Sequence, residues 1–295
     1  MSQIKRATCV EELLALLENV FNDQNTNFDE FKQRPDDIII SPFAKSGTTW
    51  LQQSLHGIRS RGDMNFSEIT DVSPWLEAAK IGDWNLNAEQ AFQPRLFKSH
   101  LPFNQLPKGT KYVCSLRNPF SQLLSFYRFF EDWWFEKDSI SISDFAKGIM
   151  LRDIANRGYW YHLCSWWKER NNPNVLLLCY ENMISDLEKT IIKISAFMNV
   201  HLDDEVLRII VHQSSKEFML CHGKHFDDHH FKKQIELHGG PPVNPEKSKV
   251  TKGTPESSRY SIPEEITYEL NCAWKEILYE RFELESYKEI QNALI

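Results

Sequence analysis

A strand–loop–helix unit near residue 40 constrains the fold most strongly. Asp37 to Ile40 is a short β-branched apolar run behind Arg34-Pro35, the pattern of a buried strand. It breaks at Ser41-Pro42, after which Leu51, Leu55 and Ile58 recur at helical spacing. Further apolar stretches end the same way. Arg95 to Phe97 stops at Lys98-Ser99-His100, Lys111 to Leu116 at Arg117-Asn118-Pro119, and Val175 to Cys179 at Tyr180-Glu181. Continuous apolar strands alternating with helices predict an α/β fold, a single domain over residues 1–295 with a central parallel sheet flanked by helices. Ligands of such folds bind beyond the carboxyl ends of the strands, where these polar residues collect. Pro119 suits the first turn of a helix running through Leu123, Leu124, Tyr127 and Phe130. Ser185 to Met198 reads as another helix. Residues 219–261, rich in His, Asp, Gly, Pro and Lys, read as a long surface loop or lid.

The loop after the first strand contains Lys45-Ser46-Gly47-Thr48-Thr49. Gly47 permits close backbone approach to a ligand, and the helix that follows offers free N–H groups and the positive end of its dipole. Hydroxyls at positions 46, 48 and 49 and the Lys45 ammonium complete a phosphate-binding composition. This is not a Walker A loop, because the lysine precedes the glycine and Pro42 stands where the first glycine belongs. A nucleotide triphosphatase is therefore disfavoured, while a plain capped strand–helix turn remains an alternative on local chemistry alone.

A net charge of −7 disfavours a general nucleic-acid binder, which needs a basic face. The six cysteines are scattered without a C-x-x-C pair, so neither a disulfide framework nor a zinc site is indicated. The first residues read as an amphipathic helix and lack the apolar core of a signal peptide, and no run is long enough to span a membrane. A cytoplasmic protein is the expectation. The run Cys221 to His230 holds His and Asp, yet on a loop without helical ligand spacing it reads as part of the lid, and no metal is expected.

Together these segments resemble the cytosolic sulfotransferases, which use 3′-phosphoadenosine 5′-phosphosulfate (PAPS). Pro42 through Trp50 is similar to that family's 5′-phosphosulfate loop, P-K-S-G-T-T-W, with one extra residue before the lysine. Ser73-Pro74-Trp75-Leu76-Glu77 resembles its substrate-side segment, and Lys98-Ser99-His100-Leu101-Pro102 its K-T-H-L-P. Arg117-Asn118 with Ser125-Phe126-Tyr127 resembles its 3′-phosphate motif. Gly158-Tyr159-Trp160 with Trp166-Trp167 resembles G-x-W…W-W, and Tyr180-Glu181-Asn182-Met183 its Y-E-D-M. The matches fall in the same order along most of the chain.

The resemblance implies a P-loop-like phosphosulfate-binding loop, PAPS as donor, adenosine 3′,5′-bisphosphate as product and a small-molecule acceptor. It makes His100 the general base, with Lys98 and Lys45 neutralising charge on the leaving group and no metal required. Cofactor binding would fall to Lys45, Ser46, Gly47, Thr48, Thr49, Trp50, Arg117, Ser125, Tyr180, Ser214, Lys252 and Gly253, with Trp50 stacking on adenine. Departures are visible. Phe120-Ser121 replaces a K-D pair, Ser215 stands where an aromatic would cover the second adenine face, and Thr251 replaces a basic residue, for which Lys249 is a substitute. The family's dimerisation pattern is not recognisable, which leaves monomer and homodimer open.

Trp75, Trp84 and Trp133 offer aromatic walls for the acceptor, with Glu77 and Asp132 among the acids near them in sequence. Apolar walls suit phenols or alcohols, while aromatic walls with carboxylates also suit a cationic alkaloid. Competing classes are a P-loop phosphoryl transferase, a non-catalytic phosphoadenosine-nucleotide binder and a membrane-anchored carbohydrate sulfotransferase. The first lacks its Walker lysine here, the second should have lost His100 or the lysines, and the third should carry an anchor.

Overall fold

The structure, a computed structural model, describes residues 5–21, 28–152, 158–243, 249–250 and 260–295. Its chain order is α1 (Val10–Phe21), β1 (Ile38–Ile40), α2 (Thr48–Ser60), α3 (Ile69–Val72), α4 (Ala79–Gly82), β2 (Leu96–Lys98), β3 (Lys111–Leu116) and α5 (Pro119–Trp133). Then follow α6 (Ile142–Phe145), α7 (Tyr159–Lys168), β4 (Val175–Cys179), α8 (Tyr180–Ser185), α9 (Leu187–Met198), α10 (Asp204–Gln213), α11 (Lys216–Cys221), α12 (His229–Leu237) and α13 (Glu264–Trp274).

The strands form a parallel four-stranded sheet in the order β2-β1-β3-β4. Its register pairs Ile40 with both Lys98 and Val113, and Leu116 with Cys179, so the strand ends lie along one edge. Side chains alternate between two cores, as the pleat requires. Ile39, Phe97, Cys114, Leu116 and Leu177 face the layer that includes Leu123 and Phe126 of α5 and Leu163 of α7. Ile38, Ile40, Leu96, Val113, Leu176 and Leu178 face the layer of α2, α9 and α10, against Leu51, Leu55, Ile191 and Ile210. Burial on both faces is why these strands read as unbroken apolar runs.

A buried ion pair fixes the start of the sheet. Arg95 donates from Nε and Nη2 to Asp37 at 2.8 and 2.6 Å, and both residues are 1% exposed. It ties the residue ahead of β1 to the residue ahead of β2, and so sets their register. Helix α5 starts where Pro119 occupies the first turn, and Asn118 caps it by accepting from the Phe120 N–H at 2.9 Å.

The segment expected to be an irregular lid over 219–261 is largely helical where it is described. Lys216–Cys221 and His229–Leu237 are α-helices joined through a tight turn at Gly223–Phe226. The reason is an apolar set spread among polar residues: Met219, Phe226, Phe231 and Ile235 are all buried. Phe231 and Ile235 are one helical turn apart and drive that face of α12 into the core. The expected helix over 185–198 forms as Leu187–Met198, its start set two residues later because Asp186 caps it by accepting from the Lys189 N–H at 2.9 Å.

Candidate functional site

The loop between β1 and α2 presents its N–H side because its carbonyls are occupied. The carbonyl of Pro42 accepts from Nδ1 of His100 at 2.8 Å and that of Phe43 from the Ser46 N–H at 3.0 Å. Those of Ala44, Lys45 and Ser46 accept from Gln122 Nε2 at 3.0 Å, Arg117 Nη1 at 2.5 Å and Ser115 Oγ at 2.5 Å. Of these five consecutive carbonyls, four are bound by side chains from elsewhere in the chain and that of Phe43 by the loop's own Ser46 N–H. Gly47 caps α2 at φ 99°, with no side-chain cap on the helix N–H groups and no acid in the first turn. A Cβ at Gly47 would meet Tyr180 Cδ2 at 3.0 Å. The hydroxyls of Ser46 and Thr48 are buried without a hydrogen-bond partner. Unpartnered buried donors beside an uncapped helix N-terminus suit a bound phosphate or sulfate group. Thr49 lies half-buried in the same turn.

Lys45 and Lys98 bring positive charge to this cradle. Lys45 Nζ donates to the Lys249 carbonyl at 3.4 Å and stands 4.9 Å above the Phe129 ring. Burial, with Arg117 and Arg128 nearby, lowers its pKa to about 7. Lys98 ends β2, is 2% exposed and stands 4.0 Å above the Trp75 ring. Burial lowers its pKa to about 8, against the opposing pull of Glu77 and Glu68. Asp228, itself 2% exposed, lies 3.9 Å from Lys98 and also forms an ion pair with Lys249.

His100 follows the β2 edge. Its backbone N–H donates to Glu77 Oε1 at 2.6 Å, and Trp75 packs edge-on against its ring at 5.1 Å. A carbonyl can only accept, so the contact with Pro42 assigns the proton to Nδ1 and leaves Nε2 with a lone pair. Burial first, and then the charge of Lys98, pushes the His100 pKa well below the ordinary imidazole value. The ring is therefore neutral near pH 7, with a free acceptor nitrogen.

The other expected site residues are placed as follows. Arg117, 4% exposed, lies 4.2 Å over the Tyr180 ring and donates from Nε to Ser121 Oγ at 3.2 Å. Ser121, where the family has an acid, thus receives the guanidinium. Ser125 sits one turn further along α5, half-buried. Trp50 meets Tyr180 edge-on at 5.9 Å and donates from its indole to the Ser214 carbonyl at 2.7 Å. The Ser214 hydroxyl is fully buried and turned to Ser54 at 3.3 Å, so Ser214 holds Trp50 rather than facing a ligand. Phe218 stacks on His222 at 3.9 Å. Lys252 and Gly253 lie outside the described residues.

Of the acceptor-side residues, Trp75 flanks His100 and packs on Phe231 at 5.0 Å, while Trp84 stacks on Phe231 at 6.1 Å. Trp133 is 2% exposed and packs on Phe129 at 4.8 Å, so it backs the wall from the core. Glu77 is 3% exposed and turned to the His100 backbone, and burial raises its pKa. Its place is beneath the histidine, not against an acceptor. Asp132 is half-buried, and its charge acts on Lys45 and Lys232. Sequence reasoning missed Gln122, Asp228 and Phe231, whose partners are distant in the chain. The one usable signal was Lys249 beside the missing basic residue at Thr251.

Comparison with known proteins agrees with this geometry. Residues 35–278 match the sulfotransferase domain family. The chain is 33% identical over 204 residues to sulfotransferase 1B1 of Canis lupus familiaris, covering 65% of this chain and 69% of that one. It is 34% identical over 199 residues to human sulfotransferase 2A1, covering 65% and 69%. Rabbit (Oryctolagus cuniculus) amine sulfotransferase is 31% identical over 196 residues, 65% of each chain. Among solved structures, retinol dehydratase in complex with androsterone and inactive cofactor PAP superposes with TM-score 0.70 at 19% identity, covering 93% of this chain and 87% of that chain. Mouse sulfotransferase SULT7A1 complexed with PAP gives 0.62 at 19% identity, covering 96% and 92%. The fold is shared with these structures, and the chain belongs to the sulfotransferase family.

Proposed function

We propose that the protein moves the sulfuryl group of PAPS to a hydroxyl or amine of a small-molecule acceptor, releasing adenosine 3′,5′-bisphosphate, with His100 as general base. The observation that carries this reading is the meeting of an anion cradle with a neutral imidazole. The cradle has unpartnered hydroxyls at Ser46 and Thr48 and the lysines 45 and 98, and His100 directs its one proton to Pro42. The sulfotransferase relatives support sulfuryl transfer, and the PAP complexes of retinol dehydratase and mouse SULT7A1 support the nucleotide.

PAPS supplies an electrophilic sulfur on a bisphosphate leaving group. Nε2 of His100 takes the acceptor proton as the acceptor oxygen or nitrogen closes on sulfur and the sulfur–oxygen bond to the 5′-phosphate breaks. Lys45 and Lys98 stabilise the charge gathering on the departing phosphate oxygen, the electrostatic help that phosphoryl-type transfers chiefly need. Glu77 sets the height of His100 through its backbone. Arg117 and Ser125 are assigned to the 3′-phosphate, and Trp50 and Tyr180 to adenine. Because Arg117 also holds the Lys45 carbonyl, the two phosphate sites are mechanically linked. Trp75, Trp84 and Phe231 supply a flat apolar wall for the acceptor. Asp132 is the candidate counter-charge for an amine.

All six thiols are free, which suits a reducing cytoplasm. No helix of the described residues is long and apolar enough to cross a membrane.

The test is transfer of labelled sulfate from PAPS to a panel of phenols, steroids and amines. We expect label in at least one acceptor class and transfer at least about a hundredfold slower with His100→Asn. A wild type that binds adenosine 3′,5′-bisphosphate yet labels nothing overturns the enzyme reading.

A further inference from the structure

The turn before α3 and the start of α12 bring a second cluster of ligating groups together. One ligand atom each from Glu68, His229 and His230 lies within 4.8 Å of the other two. Asp227 Oδ1 stands 2.8 Å from Nδ1 of His229, and Asp71 Oδ2 stands 2.8 Å from Nδ1 of His230. Glu68 Oε2 accepts from the backbone N–H of His230 at 2.9 Å and lies 3.6 Å from Nδ1 of His229.

We propose that Glu68, His229 and His230 bind a divalent transition-metal ion of the zinc class. An independent observation points to a cation at this cluster. Glu68 is 0% exposed, and its Oε1 has no hydrogen-bond partner. A buried carboxylate oxygen without a donor is costly, and a bound cation is one way to relieve that cost. The lysines facing Glu68 from the transfer side, Lys98 and Lys249, are paired with Asp228 instead. Lys232, one turn along α12, stands 5.3 Å over the Trp133 ring.

The donor set selects the metal. Mixed imidazole and carboxylate ligands favour zinc-like ions over magnesium or calcium, which prefer oxygen alone. Ligands about 2.0–2.2 Å from zinc sit roughly 3.3 Å from one another in a tetrahedral shell, so a small closing of two partly exposed rings completes the site. With Nδ1 of His229 and His230 turned to Asp227 and Asp71, Nε2 is the ligating atom of each ring, and Nε2 of His229 gives up its 3.3 Å contact with Ser67 Oγ when the ion binds. The ion would pin the start of α12, and with it Phe231, to the turn before α3. Trp84 is tied to α3 itself through its indole contact with Asp71 Oδ1 at 3.4 Å. Metal occupancy therefore fixes the acceptor wall without entering the transfer chemistry.

The experiment titrates zinc into the metal-stripped full chain by calorimetry, with cobalt as spectroscopic probe and thermal unfolding as a second readout. The proposal expects one ion per chain, cobalt ligand-field bands and a raised Tm on adding zinc. It expects His229→Gln with His230→Gln to abolish all three while the metal-free Tm stays at the wild-type value. If the double variant unfolds early, His230→Gln alone must weaken zinc binding at least about tenfold. Failure of the wild type to bind, or undiminished binding by the variants, overturns the site.

Discussion

The proposed base, His100, presents a lone pair at Nε2 because of one neighbour. The Pro42 carbonyl takes the Nδ1 proton, and burial keeps the ring uncharged. Replacing His100 by Asn should lower kcat by about 10²–10⁴ and leave affinity for adenosine 3′,5′-bisphosphate unchanged. Equal loss of both would assign His100 to nucleotide binding instead. The lysines make a pH prediction. Lys45 near 7 and Lys98 near 8 are charged only below those values in the free protein. Nucleotide affinity should therefore fall from pH 7 to 9, where the phosphates are already ionised, by up to about tenfold per unit for each lysine that must recharge. A flat profile in calorimetry would contradict it. Asp132→Asn should raise KM for amine acceptors several-fold and spare phenols, and an equal effect on both removes it from acceptor choice. Residues of the loop, Lys45 to Trp50, were legible in the sequence because they are consecutive. Asp228 was not, because its partners Lys98 and Lys249 come from other segments.

At the scale of elements, the strand–loop–helix unit depends on Gly47. Its φ of 99° strains any residue with a side chain, and Tyr180 Cδ2 would crowd a Cβ at 3.0 Å. Gly47→Ala should destabilise the protein by about 1–3 kcal/mol and weaken nucleotide binding, read by thermal unfolding and calorimetry. Loss of stability with full affinity would show that the loop does not need this conformation. Asp37→Ala strands Arg95 in the core and should cost about 3–5 kcal/mol in denaturant unfolding. Strands β3 and β4 were legible to the residue because burial on both faces makes β4 wholly apolar and leaves β3 only Lys111 and Ser115 as polar members. Helix α12 was hidden because Phe231 and Ile235 are its main apolar anchors among His, Lys and Gln. Two residues at helical spacing do not raise a periodic signal above such a background.

At the scale of the molecule, the parallel sheet assembles the site from segments that are far apart in sequence. The loop after β1, Lys98 at the end of β2, Arg117 after β3 and Tyr180 after β4 all emerge along one edge. That convergence could be read in advance, since each apolar run ended in a polar group. The acceptor wall could not, because it depends on α12 packing Phe231 against Trp75 and Trp84. The most direct test of the account is calorimetric titration of adenosine 3′,5′-bisphosphate into the wild type and Lys45→Ala. The account predicts one tight site in the wild type and at least about tenfold weaker binding in the variant, the loss of one charge-assisted contact. No binding to the wild type, or equal binding to both, would contradict it.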